Sequence, residues 1–187
     1  MDDVVLSIKK KALFTLGNNY EDLDEETKNK IDEVYEPSII KGLTKHKWSF
    51  ATETAELQTQ SIDNHKYNYV ATLPQDFLCL VNLYNNIKEN SIIEDYITKQ
   101  DKIYSNNKTM AVKYIQRVSE DKMPNHFIEY IKYEIASELC YNLTGDVELL
   151  KIIELKRQEK YEIACNIEDK QKQPFKFLKY PFNNIRN

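Results

Sequence analysis

Apolar residues recur at steps of three and four over the first stretch of the chain: Val5, Ile8, Ala12 and Leu16 share one helical face, and Gly17-Asn18-Asn19 ends the pattern. The acidic run from Glu21 to Glu26 suits the positive N-terminal end of a second helix, whose stripe is Ile31, Tyr35, Ile39 and Leu43. Pro37 interrupts that stripe. An interior proline costs ~3 kcal/mol and frees a carbonyl, so either the helix kinks there or Pro37 opens a new helix at its first position.

From Trp48 the period changes to two. Trp48 and Phe50 alternate with Ser49 and Ala51. Tyr67, Tyr69, Ala71 and Leu73 alternate with polar or small residues, as do Met110, Val112 and Tyr114, with Val118 beyond. These segments predict strands. Pro74 closes one, Leu78 to Tyr84 reads as the next, Ile92 to Ile97 is a weaker candidate, and Ser105-Asn106-Asn107 reads as the turn into the last.

Helical spacing returns after Pro124. Ile128, Ile131, Ile135 and Leu139 form a stripe that Gly145 stops. Asp146 caps a further long helix with Leu150, Ile153, Tyr161 and Ala164 facing inward, and the short link implies an antiparallel pair. The expected architecture is α+β. A helical bundle comprises residues 1–47 and 119–173, a small antiparallel sheet is inserted at 48–118, and an extended C-terminal arm occupies 174–187.

Composition changes this picture little. In 187 residues, 41% are apolar and 30% charged, enough for one domain with a proper core. The longest apolar run, Phe77 to Val81, is far short of the roughly 18 residues that span a bilayer. The acidic start Met1-Asp2-Asp3 and three scattered cysteines suggest a product that stays in the cytoplasm. Lys, Ile, Asn and Tyr together supply 72 residues against three Arg, a coding bias that removes weight from lysine clusters. Charge asymmetry survives that discount. Residues 170–187 hold five basic side chains and no acid, which leaves a body of about −9.

No enzyme site emerges from these residues. His46, His65 and His126 lack partners at metal-ligand spacing, three glycines cannot build a phosphate loop, and no G-x-S-x-G elbow is present. Neither a cofactor nor a metal is expected, and no catalytic residue. Glu134 and Glu138 share a helix face at i and i+4, which reads as a solvated face in preference to a catalytic carboxylate pair. The acidic body lacks the basic stripe of a nucleic-acid binder. In the arm, Phe175 and Phe177 alternate with Lys176, and Leu178 and Lys179 follow; Tyr180 and Phe182 flank Pro181. That pattern suits an extended segment docking aromatics into grooves or adding to a sheet edge of a protein partner. Its fourteen residues can reach ~46 Å at ~3.3 Å each.

The order of segments carries more than any single residue. Leu6 to Gly17, the helix through Val34-Tyr35 into Leu43 to Ala51 (LTKHKWSFA), and Leu73-Pro-Gln-Asp76 before an apolar strand resemble the tail tubular protein A family, the head-to-tail adaptors of short-tailed bacteriophages. So do Tyr114-Ile-Gln-Arg-Val118, the acidic break through Pro124 to Phe127, and the helix from Ile131 to Thr144. Together they cover residues 3 to 172. Lys47 stands where the family usually shows proline before the tryptophan.

The resemblance implies a structural virion protein without catalytic activity, located at the neck of the particle and in the host cytoplasm during assembly. Its expected partners are the portal protein, further copies of itself in a ring usually of twelve, and a downstream tail or nozzle protein. Genomic DNA passes through the ring without sequence-specific binding, and no membrane is involved. Family members use C-terminal extensions to grip the portal, which points to Phe175, Phe177, Leu178, Lys179, Tyr180 and Phe182. The family also places Trp48 and Phe50 where the second helix enters the sheet, as a structural anchor on one side of a strand. An intracellular helical binding or regulatory module is the competing reading, and a hydrolase in an adaptor-like scaffold is third.

Overall fold

The protein is described by a computed structural model over residues 3–63, 66–88 and 91–172. The first stripe forms helix α1 (Asp3–Phe14), with Ile8, Ala12 and Leu13 buried. Helix α2 (Glu25–Thr44) starts where Asp24 accepts the Thr27 backbone N–H at 2.8 Å. It runs through Pro37 as a single helix. Pro37 lies on the exposed face, as does Glu33, the residue whose carbonyl it deprives of a donor; water can take that bond, so the helix continues.

Between α2 and the later helices the described residues build seven strands. They are β1 (Thr52–Leu57), β2 (Thr59–Ser61), β3 (Tyr69–Thr72), β4 (Phe77–Tyr84), β5 (Tyr96–Lys99), β6 (Lys102–Ser105) and β7 (Met110–Gln116). The sequence predicts one small sheet, but the strands form two, both antiparallel: β1-β7-β4 and β2-β3-β6-β5. β1 and β2 are separated by Gln58 alone and pair into different sheets, so one nearly continuous strand crosses from sheet to sheet. The pattern misses β1 and β2 because their polar and half-buried residues do not alternate cleanly, and β6 because four residues are too few to establish a period. The candidate at Ile92 to Ile97 resolves into a single bridge, Ile92 with Tyr84, followed by β5.

Helices α3 (Asn125–Thr144) and α4 (Val147–Lys172) follow. Gly145 takes the left-handed conformation at φ 66° and donates its N–H to the Tyr141 carbonyl at 2.9 Å, closing α3. Asp146 then caps α4 through the Leu149 N–H. An α+β fold results, with the strands inserted between α2 and α3.

The three-stranded sheet lies between two hydrophobic cores. Ile115, Leu78, Cys79 and Val81 pack against the helices, while Met110, Val112, Tyr114, Leu80 and Leu83 face the four-stranded sheet with Ala71, Leu73 and Ile103. Two register shifts in β4, between Phe77 and Cys79 and between Leu80 and Asn82, redistribute its side chains between the cores. The chain's longest apolar run therefore belongs to the strand with a core on each face.

At Gly42, α2 packs directly against α3. A Cβ there would sit far inside contact of the Ile131 Cδ1 atom, with the Phe127 and Tyr130 rings at 3.4 Å. Gly42→Ala gains about 1 kcal/mol of helix propensity, against about 1–3 kcal/mol for overpacking a fully buried isoleucine. We expect a net loss of about 1 kcal/mol in urea unfolding. A stabilised variant would show that the two helices separate easily.

Candidate interaction site at the helix and sheet junction

The chain enters and leaves the sheets through two seams. At the entry, Trp48 is fully buried, and its indole N–H donates to the Gly42 carbonyl at 2.9 Å. Its ring meets Phe127 edge-on at 5.1 Å, and Phe50 reaches the same Phe127 at 5.1 Å, so both aromatics lie against α3. The expected strand alternation at 48–51 is corrected here. Ser49–Ala51 form a turn of 3-10 helix, closed by the Ala51 N–H on the Trp48 carbonyl, and β1 begins only at Thr52, whose hydroxyl donates to that same carbonyl at 2.6 Å. The indole bond to Gly42 holds Trp48 toward α2, which an extended strand would not allow.

At the exit, Arg117 follows β7 and forks onto Glu36 of α2, with Nε to Oε1 at 2.7 Å and Nη2 to Oε2 at 2.9 Å; Nη2 also donates to Glu120 at 2.6 Å. Tyr35 donates its hydroxyl to the same Glu120 at 3.2 Å. Burial first, and then the neighbouring carboxylate, push the Tyr35 hydroxyl well above its ordinary pKa. On β7 itself Tyr114 donates to Asp76 at 3.1 Å, and burial with that bond raises it to about 12.

The C-terminal half of α4 is tied to the entry seam. Glu168, 1% exposed, accepts the Ser49 backbone N–H, and His126 Nε2 stands 3.7 Å from its other oxygen. His46 Nε2 lies 3.5 Å from Asp169. Tyr161 donates to the Lys45 carbonyl at 3.2 Å, and the Lys45 ammonium covers the Tyr161 ring at 4.2 Å. The Glu168–Ser49 and Tyr161–Lys45 hydrogen bonds hold the end of α4 against the turn that enters the sheets. The predicted docking residues Phe175, Phe177, Leu178, Lys179, Tyr180 and Phe182 lie outside the described residues, and so does His65.

Glu134 corrects the solvated-face reading. It is fully buried between α2, α3 and α4, accepting from Tyr130 at 2.8 Å, from Lys41 at 2.6 Å and from Arg157 at 3.2 Å. Lys41 also reaches Glu138 at 2.7 Å, and Arg157 pairs with Glu154, which accepts from Ser137. Burial alone would raise the Glu134 carboxyl, but the three donors together hold it below the usual carboxylate range. The same burial and the Glu134 charge push Tyr130 up. A carboxylate held ionised and saturated by donors is suited to joining helices and unsuited to accepting a proton from a substrate.

Periodicity passes over Glu134, Glu120 and Glu168, because each falls at a core position where a carboxylate is unexpected. One signal in the sequence was available. Of three arginines in a lysine-rich chain, Arg117 and Arg157 are both bound to carboxylates at helix seams, where the planar fork does what an ammonium cannot. Among the described residues, no group of three or more His, Cys, Asp or Glu is placed to hold a metal ion. Nor is any helix there long and apolar enough to cross a membrane.

Comparison with protein-family models finds no match to this chain, and the curated proteins include none that matches it.

Proposed function

We propose that the chain is a head-to-tail adaptor that forms a ring beneath a viral portal, with DNA passing through its centre and further tail proteins attached below. The observation that carries this reading is the placement of the resembling segments on successive elements of one fold. Leu6 to Gly17 covers most of α1 and the turn after it, Val34 to Ala51 runs from α2 into the Trp48 turn, Leu73 to Asp76 leads into β4, Tyr114 to Val118 ends β7, and Ile131 to Thr144 lies on α3. The acidic body is compatible with a channel wall that does not grip phosphates. In this reading the seams at Trp48 and Arg117 make the helices and sheets one rigid unit, and residues 174–187 reach the portal.

Every core residue named above lies before residue 174, and we expect protein lacking 174–187 to unfold at the same denaturant midpoint while its binding to the cognate portal falls at least a hundredfold. Truncated protein that binds portal as tightly as full length would sink the docking role of the arm. A full-length chain that neither binds portal nor forms rings on it would sink the adaptor reading itself.

A further inference from the structure

His46 and His126 stand far apart in the chain and meet at one seam. His46 belongs to the turn after α2, His126 to the first turn of α3, and both rings flank Trp48, with centroids 4.8 and 6.5 Å from the indole. In each, the Nε2 atom is buried and makes no hydrogen bond among the described residues. A buried polar nitrogen left in that condition is unfavourable and calls for a physical reason.

Each of these nitrogens faces a carboxylate at the end of α4. His46 Nε2 lies 3.5 Å from Asp169, and His126 Nε2 lies 3.7 Å from Glu168. The separations are too long for a good N–H···O hydrogen bond, yet short enough for strong attraction once a ring is charged. Glu168 is held in place by its other oxygen, which accepts the Ser49 N–H, so the imidazole is the member of the pair free to change state. The other charged groups around the rings are already engaged. Beside His126, Glu129 accepts from Lys132 at 2.5 Å, and Lys160 stands 3.7 Å from Glu159. Beside His46, the Lys45 ammonium covers the Tyr161 and Tyr130 rings at 4.2 and 5.6 Å, and Lys47 has a partner of its own.

We propose that His46 and His126 form an acid-operated latch on the end of α4. When each ring is protonated, its Nε2–H donates to the facing carboxylate, and the last turns of α4 are fixed to the turn that enters the sheets. Histidine changes charge between about pH 5 and pH 8, so the latch works within that range. The sign follows from the charges: imidazolium and carboxylate must be present together, so the added hold exists in acid and is lost as pH rises. With the rings neutral, the end of α4 keeps its hydrogen bonds to Ser49 and Lys45 and loses both ion pairs. Glu134, held below the usual carboxylate range, stays ionised throughout this window and does not contribute to the change. This inference does not depend on the adaptor reading.

The test is amide hydrogen exchange of the full-length protein at pH 5.5 and pH 8, expressed as protection factors so that the intrinsic pH dependence of exchange cancels. Amides of residues 165–171 should be about fivefold better protected at pH 5.5, while those of 150–157, farther up the helix, should change by less than about twofold. Equal protection at the two pH values, or a gain shared by 150–157, overturns the proposal. The double variant His46→Gln with His126→Gln, neutral at both pH values, should lose the difference; a difference that persists belongs to other groups, His65 among them, and overturns the assignment. Asp169→Asn, at an exposed carboxylate, removes the His46 half and should cut the ratio to about half. Should the double variant fail to fold, Asp169→Asn decides by itself, and a ratio equal to wild type then overturns the latch.

Discussion

Replacing Trp48 by alanine should lower the unfolding free energy by about 3–5 kcal/mol, the range for truncating a buried aromatic. The ring has no exposed surface and touches Phe127, Phe50 and His46, so its removal opens a cavity where α2, α3 and the entry to β1 meet. The Gly42 carbonyl also loses the indole donor. Trp48→Phe separates the two contributions: it keeps much of the volume and loses the hydrogen bond, so it should cost about 1–3 kcal/mol. Urea unfolding reads both variants. A Trp48→Ala midpoint equal to wild type would mean that the turn is peripheral to the core and that the helices and sheets are joined elsewhere.

Glu134→Gln should cost about 3 kcal/mol at pH 7. The figure lies at the low end for breaking a buried charged network, because Lys41 retains Glu138 and Arg157 retains Glu154. The pH dependence has a definite sign. The carboxyl is held below its ordinary value of 4.5 in the folded protein, so the unfolded chain binds its proton first as pH falls. The stabilisation is complete above 4.5 and is lost as pH drops through the lowered folded value. Wild type and Glu134→Gln should therefore differ most at neutral pH and converge in acid. A gap that stays constant between pH 7 and pH 3 would show that the substituted amide fails for steric reasons, and a gap under about 0.5 kcal/mol at pH 7 would remove Glu134 from the set of helix-joining groups.

The two classes of side chain involved here differ in how visible they are in sequence. Trp48 is visible as the chain's one tryptophan at the boundary between a helical and a strand-like pattern, where the resemblance implies an anchor, but its burial is decided by the fold. Its backbone is not visible. The 3-10 turn at 49–51 arises because Gly42, six residues earlier, offers a carbonyl at the distance an indole can reach, and alternation alone is blind to that. Glu134 is the reverse case. Its helix is unmistakable, but its burial depends on Lys41 from α2 and Arg157 from α4 arriving at the same point.

Local pattern was enough for the four α-helices among the described residues, for the cap at Asp146, for the stop at Gly145 and for the strands at 69–72, 77–84 and 110–116. Each of these rests on interactions within a few residues of chain, namely amphipathic periodicity, capping oxygens and the left-handed glycine. Pairing partners were not legible. Whether 52–57 and 59–61 are strands at all is decided by β7 and β3 lying beside them, because TETAEL and TQS hold no hydrophobic face strong enough to select an extended conformation alone. The division into two sheets and the burial of Glu134, Glu120 and Glu168 belong wholly to the tertiary structure. Each is a contact between segments distant in the chain, and charge and burial at such a contact are properties of the assembled fold that no single segment possesses.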